Sequence, residues 1–374
     1  MPIRHANALL DVPVYPAGRY APLADRIGRL LSSTGDVIFV QAEAILALEA
    51  VATSIARPGV TAVNIVTSPY GAYFGAWLRR AGATVHELLA EPGQPAGMQA
   101  LRARMDALPA VDVVAAVHAE AANGVLNPLA DIAALAKARN ALLVIDAVAS
   151  IGAHPLDVDA LGIDIAVIGA QKGLAGPAGV SAVAMSQRAW THVAATPDFA
   201  PSSLSLAEIR RTWLDRGRGA LPGMPAPLEF WALEAAIDRV EAEGIDNVIA
   251  RHQRAAMAAR AGLRALGVEP WIADDRAASA LVTSAPVPDG IDAQALIDAA
   301  ARYGVALGAG FGNTEGRLVR LDHTGAKAAF DSVLAAVVGY GAALGTFGTL
   351  GMAVDIGAAA KAVATAWAAP RAGD

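Results

Sequence analysis

Two short apolar runs in this chain end in polar residues of complementary chemistry. LLVID closes on Asp146, and DIAVIGAQK delivers Gln171 and Lys172, with the amine 26 positions after the acid. Only four of the 29 Lys and Arg residues are lysine, and this one is packed among Gly, Ala and Pro in QKGLAGPAGV. A lysine in so small and apolar a loop loses hydration, which favours its neutral amine and makes it a nucleophile toward carbonyls. A buried aspartate beside a pyridine nitrogen keeps that nitrogen protonated, so the ring can draw electrons from a carbanion. The plainer alternative is a lysine that reaches the surface and an aspartate that caps a helix.

For the two to meet, both must stand at the same edge of one sheet. The interval fits one helical crossover, which places both at the carboxyl ends of nearby strands, where open α/β sheets bind ligands. The first two-thirds of the chain supports that arrangement by alternating apolar runs with helical patterns, the mark of a parallel sheet between helices. Strands are expected at Val37–Val40, Ala62–Thr67, Thr84–Glu87, Val111–Val117, Ala141–Asp146, Asp164–Ile168 and Val180–Ala184. Helices are expected at Ala44–Ser54, Tyr73–Ala81 and Pro128–Arg139, and Pro201–Pro227 reads as an irregular surface excursion. After two long helical patterns, Leu228–Glu243 and Asp246–Leu266, a smaller α+β block carries strands near Leu281–Ala285, Val305–Leu307 and Leu318–Leu321. The join is expected near Gly244, giving a large α/β domain over 1–244 and a small one over 245–374, with the N-terminal segment free to pack on the latter.

At 374 residues the chain can bury a large core. Its net charge of −6 argues against nucleic acid or an anionic membrane as a partner. With no cysteine, disulfides, Cys-ligated metal and thiol nucleophiles are excluded; no metal site is expected. The N-terminus has no run of signal-peptide type, so a cytoplasmic protein is expected. Ser332–Val354 lacks charge and is as long as a membrane span, but its glycines and hydroxyls fit two buried helices meeting near Gly345–Gly351 better.

LLVIDAVASIGAHPLDVDALGIDIAVIGAQKGLAGPAGVSAV resembles the aspartate-to-lysine block of the class V, fold-type-I, pyridoxal-phosphate-dependent aminotransferases, and the likeness runs from about Val37 to Ala343. The resemblance implies a mostly parallel seven-stranded sheet between helices with a smaller C-terminal α+β domain. It also implies a homodimer, possibly a tetramer, and amino transfer from a small-molecule donor to a 2-oxo acid through a Lys172 aldimine. Asp146 then falls on the partner of the pyridine nitrogen, Gln171 on a residue facing the cofactor phosphate, and Tyr70 on the ring-stacking aromatic. Glu43, Ala44, Ile45, Val148 and Asn123 complete the implied cofactor-binding set. The family's Ser or Thr near the ring hydroxyl is replaced in HAEAANG, where Glu120 and Asn123 approach, while His118 reads as a core histidine. Arg320 falls on the clamp for the substrate carboxylate, Arg317 reads as solvated, and Phe311 stands where one branch has a second arginine.

Glu43 departs from the family pattern. Six residues before Glu49, members carry a Gly/Ser/Thr-rich turn whose helix start binds phosphate. Here a carboxylate stands there; it caps a helix well and repels a phosphate dianion. Met224 likewise replaces a threonine that reaches the partner subunit's phosphate. A glutamate at this place marks the branch that takes unphosphorylated pyridoxamine as a substrate and passes its amine to pyruvate. The expectation is therefore pyridoxal 5'-phosphate or, with phosphate excluded by Glu43, unphosphorylated pyridoxal or pyridoxamine bound as substrate. The alternatives are a phosphate-cofactor transaminase of alanine– or serine–glyoxylate type, with Glu43 only capping, and an inactive binding protein.

Overall fold

The computed structural model describes residues 11–196, 202–348 and 354–370. Seven strands build the main sheet: β1 (Asp36–Val40), β2 (Thr61–Val66), β3 (Thr84–Leu89), β4 (Val113–Val117), β5 (Leu142–Asp146), β6 (Ile165–Gly169) and β7 (Ser181–Met185). Each lies within two residues of the run read from the sequence. Their order is β1-β7-β6-β5-β4-β2-β3, and only β7 runs against its neighbours. Strands β4 to β7 are buried at every position. That burial on both faces is why they read as unbroken apolar runs instead of alternating ones.

Helices α1 (Tyr20–Leu30), α2 (Ala44–Ile55), α3 (Pro69–Arg80), α4 (Met98–Asp106), α5 (Leu129–Ala138), α6 (Val158–Leu161) and α7 (Gln187–Ala194) flank the sheet. They are followed by α8 (Leu206–Ile209) and α9 (Pro227–Glu243). Then come α10 (Ile245–Ala265), α11 (Ala293–Ala301), α12 (Phe330–Gly345) and α13 (Ile356–Ala368). The last four surround a second sheet of β8 (Val282–Pro286), β9 (Gly308–Ala309) and β10 (Leu318–Asp322), antiparallel in the order β8-β10-β9. One apolar core fills the main sheet and its helices; a second lies between α10, α11, α12, α13 and the small sheet. Gly244, at φ 85°, turns α9 into α10, and we propose this turn as the boundary between the two units.

Several expectations are corrected. From Pro13 the N-terminal segment packs on α9 and the main core: Tyr15 lies tilted against Phe230, Tyr20 meets it edge to face, and Trp231 donates to the Pro13 carbonyl. Helix α3 starts four residues before Tyr73, because the Ser68 hydroxyl accepts from the Tyr70 N–H and Pro69 supplies a preset first turn. Within 202–227 the chain forms α8, capped by Ser205, and a π-type turn over Arg210–Leu214 that buries Trp213. The expected strand Val305–Leu307 is displaced to Gly308–Ala309, because the Val305 N–H is spent on the Ala300 carbonyl at the end of α11. Residues 332–345 lie in one helix, α12. Its Gly339 and Gly341 are contact points, each leaving space that a Cβ would take from Val305 and Leu266. The expected meeting point near Gly345–Gly351 falls partly on 349–353, outside the described residues. No helix among the described residues is long and apolar enough to cross a membrane.

Candidate active site

The direction of winding reverses between β2 and β4, and a crevice opens at the carboxyl ends of the strands there. A cavity of about 260 Å3 occupies it, lined by Glu43, Tyr70, Glu120, Asp146, Gln171 and Lys172 together with Ala44, Ile45, Val148 and other apolar residues. Eight of the expected site residues thus share one wall, as does Glu120. Asn123, Phe311 and Arg320 stand outside that lining.

Asp146 ends β5 and is nearly buried. Its Oδ1 accepts from the Val148 N–H at 2.9 Å. Burial pushes its carboxyl up to about 6; the Val148 N–H and the Lys172 ammonium oppose that rise, and the Glu43 carboxylate adds to it. Lys172 stands half-buried three residues beyond β6, in a turn closed by the Ala175 N–H on the Lys172 carbonyl. Tyr70, on the first turn of α3, is half-buried, and burial raises its phenol.

Glu43 is the N-cap of α2. Its Oε2 accepts from the Ile45 N–H at 2.8 Å, and its Oε1 accepts from the Gln171 Nε2 at 2.7 Å. The helix start that would hold a phosphate is therefore occupied by a carboxylate, and Gln171 is turned toward that carboxylate with its own Oε1 buried and unpartnered. A phosphate dianion placed at this helix start would meet a like charge. The rest of the donor set fits a pyridoxal-type ring: a buried aspartate for the ring nitrogen, a tyrosine face, and an amine for the carbonyl carbon.

Arg320 lies mid-strand on β10, half-buried, and donates from Nη1 to the Ala121 carbonyl at 2.6 Å. Its Nε is buried and has no partner. On β9 the paired Gly308 makes room for it, since a Cβ there would come within 2.7 Å of Nη2. The orphaned Nε, beside Ala121 on the cavity wall, is suited to a carboxylate. Arg317 precedes β10 and is exposed, stacked on Trp271 at 5.2 Å. The Phe311 ring lies 5.9 Å from that of Tyr70 and is 40% exposed. Asn123 is committed internally: its Nδ2 donates to the Thr67 carbonyl and its Oδ1 accepts from the Val125 N–H. His118 is buried, with its pKa pushed down to about 4 by desolvation.

Sequence reasoning placed Glu120 near the ring without seeing that it is completely buried. Its position among alanines in HAEAA was the available signal. No group of three or more His, Cys, Asp or Glu residues able to hold a metal occurs among the described residues.

Comparison with known proteins bears on the family and the fold. A family model described as "Aminotransferase class-V" matches residues 26–326. The pyridoxamine–pyruvate transaminase of Mesorhizobium japonicum is 35% identical over 335 residues, covering 88% of this chain and 84% of that protein. The crystal structure of pyridoxamine–pyruvate aminotransferase from Mesorhizobium loti superposes with a TM-score of 0.89 at 31% identity, over 96% of this chain and 93% of that one. Serine–glyoxylate aminotransferase of Arabidopsis thaliana is 28% identical over 289 residues, 75% of this chain and 70% of that protein.

Proposed function

The chain belongs to the class V aminotransferase family, and from that premise we propose that it transfers the amine of unphosphorylated pyridoxamine to a 2-oxo acid such as pyruvate. Class V aminotransferases use pyridoxal phosphate; the observation that favours the unphosphorylated compound as a substrate here is Glu43. Its carboxylate holds the start of α2 through the Ile45 N–H and engages Gln171. A ligand ending in a hydroxymethyl group donates a hydrogen bond to that carboxylate, whereas one ending in a phosphate meets like charge. The names of the two Mesorhizobium relatives support the same reading.

When bound, the pyridine ring supplies an electron sink for charge that develops on the neighbouring carbon. The roles of the chain's own residues follow from their places. Asp146 holds a proton on the ring nitrogen; the cation so formed offsets the burial that otherwise lifts its carboxyl to about 6. Tyr70 presents a flat apolar face at the first turn of α3. Lys172 Nζ takes a proton at one of the two carbons flanking the transferred nitrogen and returns it at the other. Arg320 binds the 2-oxo acid carboxylate through its free Nε, with the Ala121 carbonyl fixing the guanidinium plane.

We further infer a homodimer. Met224 is 95% exposed on a Pro- and Gly-rich segment that is tied, through the Gln41 Nε2 bond to the Pro222 carbonyl, to the stretch between β1 and α2 that carries Glu43. Light scattering reads the mass: twice that of the chain is expected, and a monomer at micromolar concentration contradicts it.

The substrate reading is tested by incubating the purified protein with pyridoxamine and pyruvate. Formation of pyridoxal and alanine in equal amounts is expected, with pyridoxamine phosphate a poor donor. A protein that purifies with firmly held pyridoxal phosphate and ignores free pyridoxamine overturns it in favour of a phosphate-cofactor transaminase, such as the serine–glyoxylate type.

A further inference from the structure

The turn that carries Lys172 contains a strained residue. Ala175 takes φ 52°, in the left-handed region that residues with a Cβ avoid. Such a conformation lasts only where the surroundings fix it. Two neighbours do so. Arg239 of α9 donates from Nη2 to the Ala175 carbonyl at 2.7 Å. The other is Gly325, three residues past β10. It lies so close that a Cβ on it would stand 2.6 Å from Ala175 Cβ and 3.1 Å from the Lys172 carbonyl oxygen. Its φ of 57° likewise suits glycine alone.

Gly325 is in turn gripped by consecutive residues of α10. Its N–H donates to His252 Nε2 at 2.9 Å, and its carbonyl accepts from Arg251 Nη1 at 2.6 Å. Arg251 is itself anchored, through Nε and Nη2, on Glu243 at the end of α9. His252 is completely buried, and its tautomer is forced. Nδ1 meets the Val248 carbonyl at 2.8 Å, and a carbonyl only accepts, so Nδ1 carries the proton and Nε2 is bare. A bare nitrogen is what the Gly325 N–H needs; without it that donor would be left unsatisfied in the interior.

We propose that His252 is a positioning residue for Lys172: by accepting from the Gly325 N–H it holds Gly325 against the Ala175 turn and so fixes where the amine stands. The inference rests on the proposed role of Lys172 as the amine that meets a pyridoxal-type carbonyl. His252 does not line the cavity, so it acts only through the turn. Asp146 and Tyr70 stand on β5 and α3, away from this support. Loss of the His252 contact therefore loosens the amine and leaves the ring's own partners in place.

Two readouts separate this from mere support of the fold. The rate at which borohydride traps pyridoxal on Lys172 reports placement of the amine. Quenching of protein fluorescence by pyridoxine, which has neither amine nor aldehyde, reports the ring site alone. His252→Leu is expected to slow both trapping and amino transfer about tenfold, with pyridoxine affinity within about twofold of wild type. His252→Gln, whose side-chain oxygen reaches toward the place of Nε2, is expected to recover to within about threefold of wild type. Gly325→Ala leaves His252 intact but drives a methyl into Ala175, and is expected to slow trapping at least as much as His252→Leu. A His252→Leu or Gly325→Ala protein that traps pyridoxal at the wild-type rate overturns the inference while leaving the lysine's role intact. So does a His252→Leu protein that loses pyridoxine affinity in proportion, or a His252→Gln protein no better than the leucine variant. Nitrogen-15 shifts of the wild-type imidazoles need no variant to fold: a proton on His252 Nε2 overturns the proposal. Wild-type protein that forms no adduct on Lys172 overturns both.

Discussion

Glu43→Ser isolates the carboxylate at the start of α2. Serine is a good N-cap, so its hydroxyl takes over the Ile45 N–H and the helix should lose little stability. What disappears is the negative charge and the acceptor for Gln171 Nε2, now 2.7 Å from Glu43 Oε1. A phosphate dianion held at this helix start would stand roughly 5 Å from the carboxylate. Their repulsion is about 1.7 kcal/mol at the dielectric of water and about 3.3 kcal/mol at half that value; Glu43 is exposed on its outer side, which keeps the answer in this lower range. The variant should therefore raise the affinity for pyridoxal 5'-phosphate relative to that for pyridoxal by about 15- to 300-fold. Titration of tryptophan fluorescence with each compound, in 50 mM and 500 mM salt, measures the ratio and its screening. A ratio that does not move, or moves equally for both compounds, refutes the claim that this charge sorts ligands by their phosphate.

Gly308→Ala should push the Arg320 guanidinium aside, because the new methyl would stand 2.7 Å from Nη2 and 2.9 Å from Nε. A rise of about tenfold in the KM for the 2-oxo acid is expected, with kcat and the melting temperature little changed; an unchanged KM contradicts the assigned clamp. Acid should destabilise the protein steeply. His118, His154, His252 and His323 are buried, and desolvation lowers them to about 4, 3, 4 and 3. His154 Nε2 accepts from the Ala280 N–H, and His252 Nε2 from the Gly325 N–H, so protonating either nitrogen breaks a bond between segments far apart in sequence. Unfolded histidine binds its proton near 6.5 and the folded groups do not, so stability is full above about pH 7 and is lost as pH falls toward 4, by about 3 kcal/mol for each group. Urea midpoints at pH 7, 5.5 and 4.5 measure this, and equal midpoints would show that these histidines are not held neutral.

The main sheet was legible because strands covered on both faces must be apolar throughout, and five such runs, β1 and β4 to β7, stand out against alanine-rich helices. Lys172 and Asp146 were legible for a related reason: each is a polar residue where an apolar run stops. Short-range competition hid the rest. Tyr70 lies in a helix because Ser68 and Pro69 start one, a pairing easily read as a turn. Val305 and Leu307 look like a strand, yet the end of α11 claims the Val305 N–H first. Gln171 bonds to Glu43, 128 residues away, and Asn123 to Thr67, 56 residues away; neither partner is visible in local pattern. Glu120 was the hardest to read, since its burial arises only where the ends of β2 and β4 converge.

The central claim is that Lys172 is the amine that meets the carbonyl of a bound pyridoxal-type ring, with Asp146 on the ring nitrogen. Reducing the protein with borohydride in the presence of pyridoxal, then digesting it and sequencing the peptides by mass spectrometry, tests this directly. The account predicts one stoichiometric pyridoxyl adduct on Lys172, absent in Lys172→Ala. Adduct spread over Lys137, Lys327 and Lys361, or none on Lys172, would contradict it.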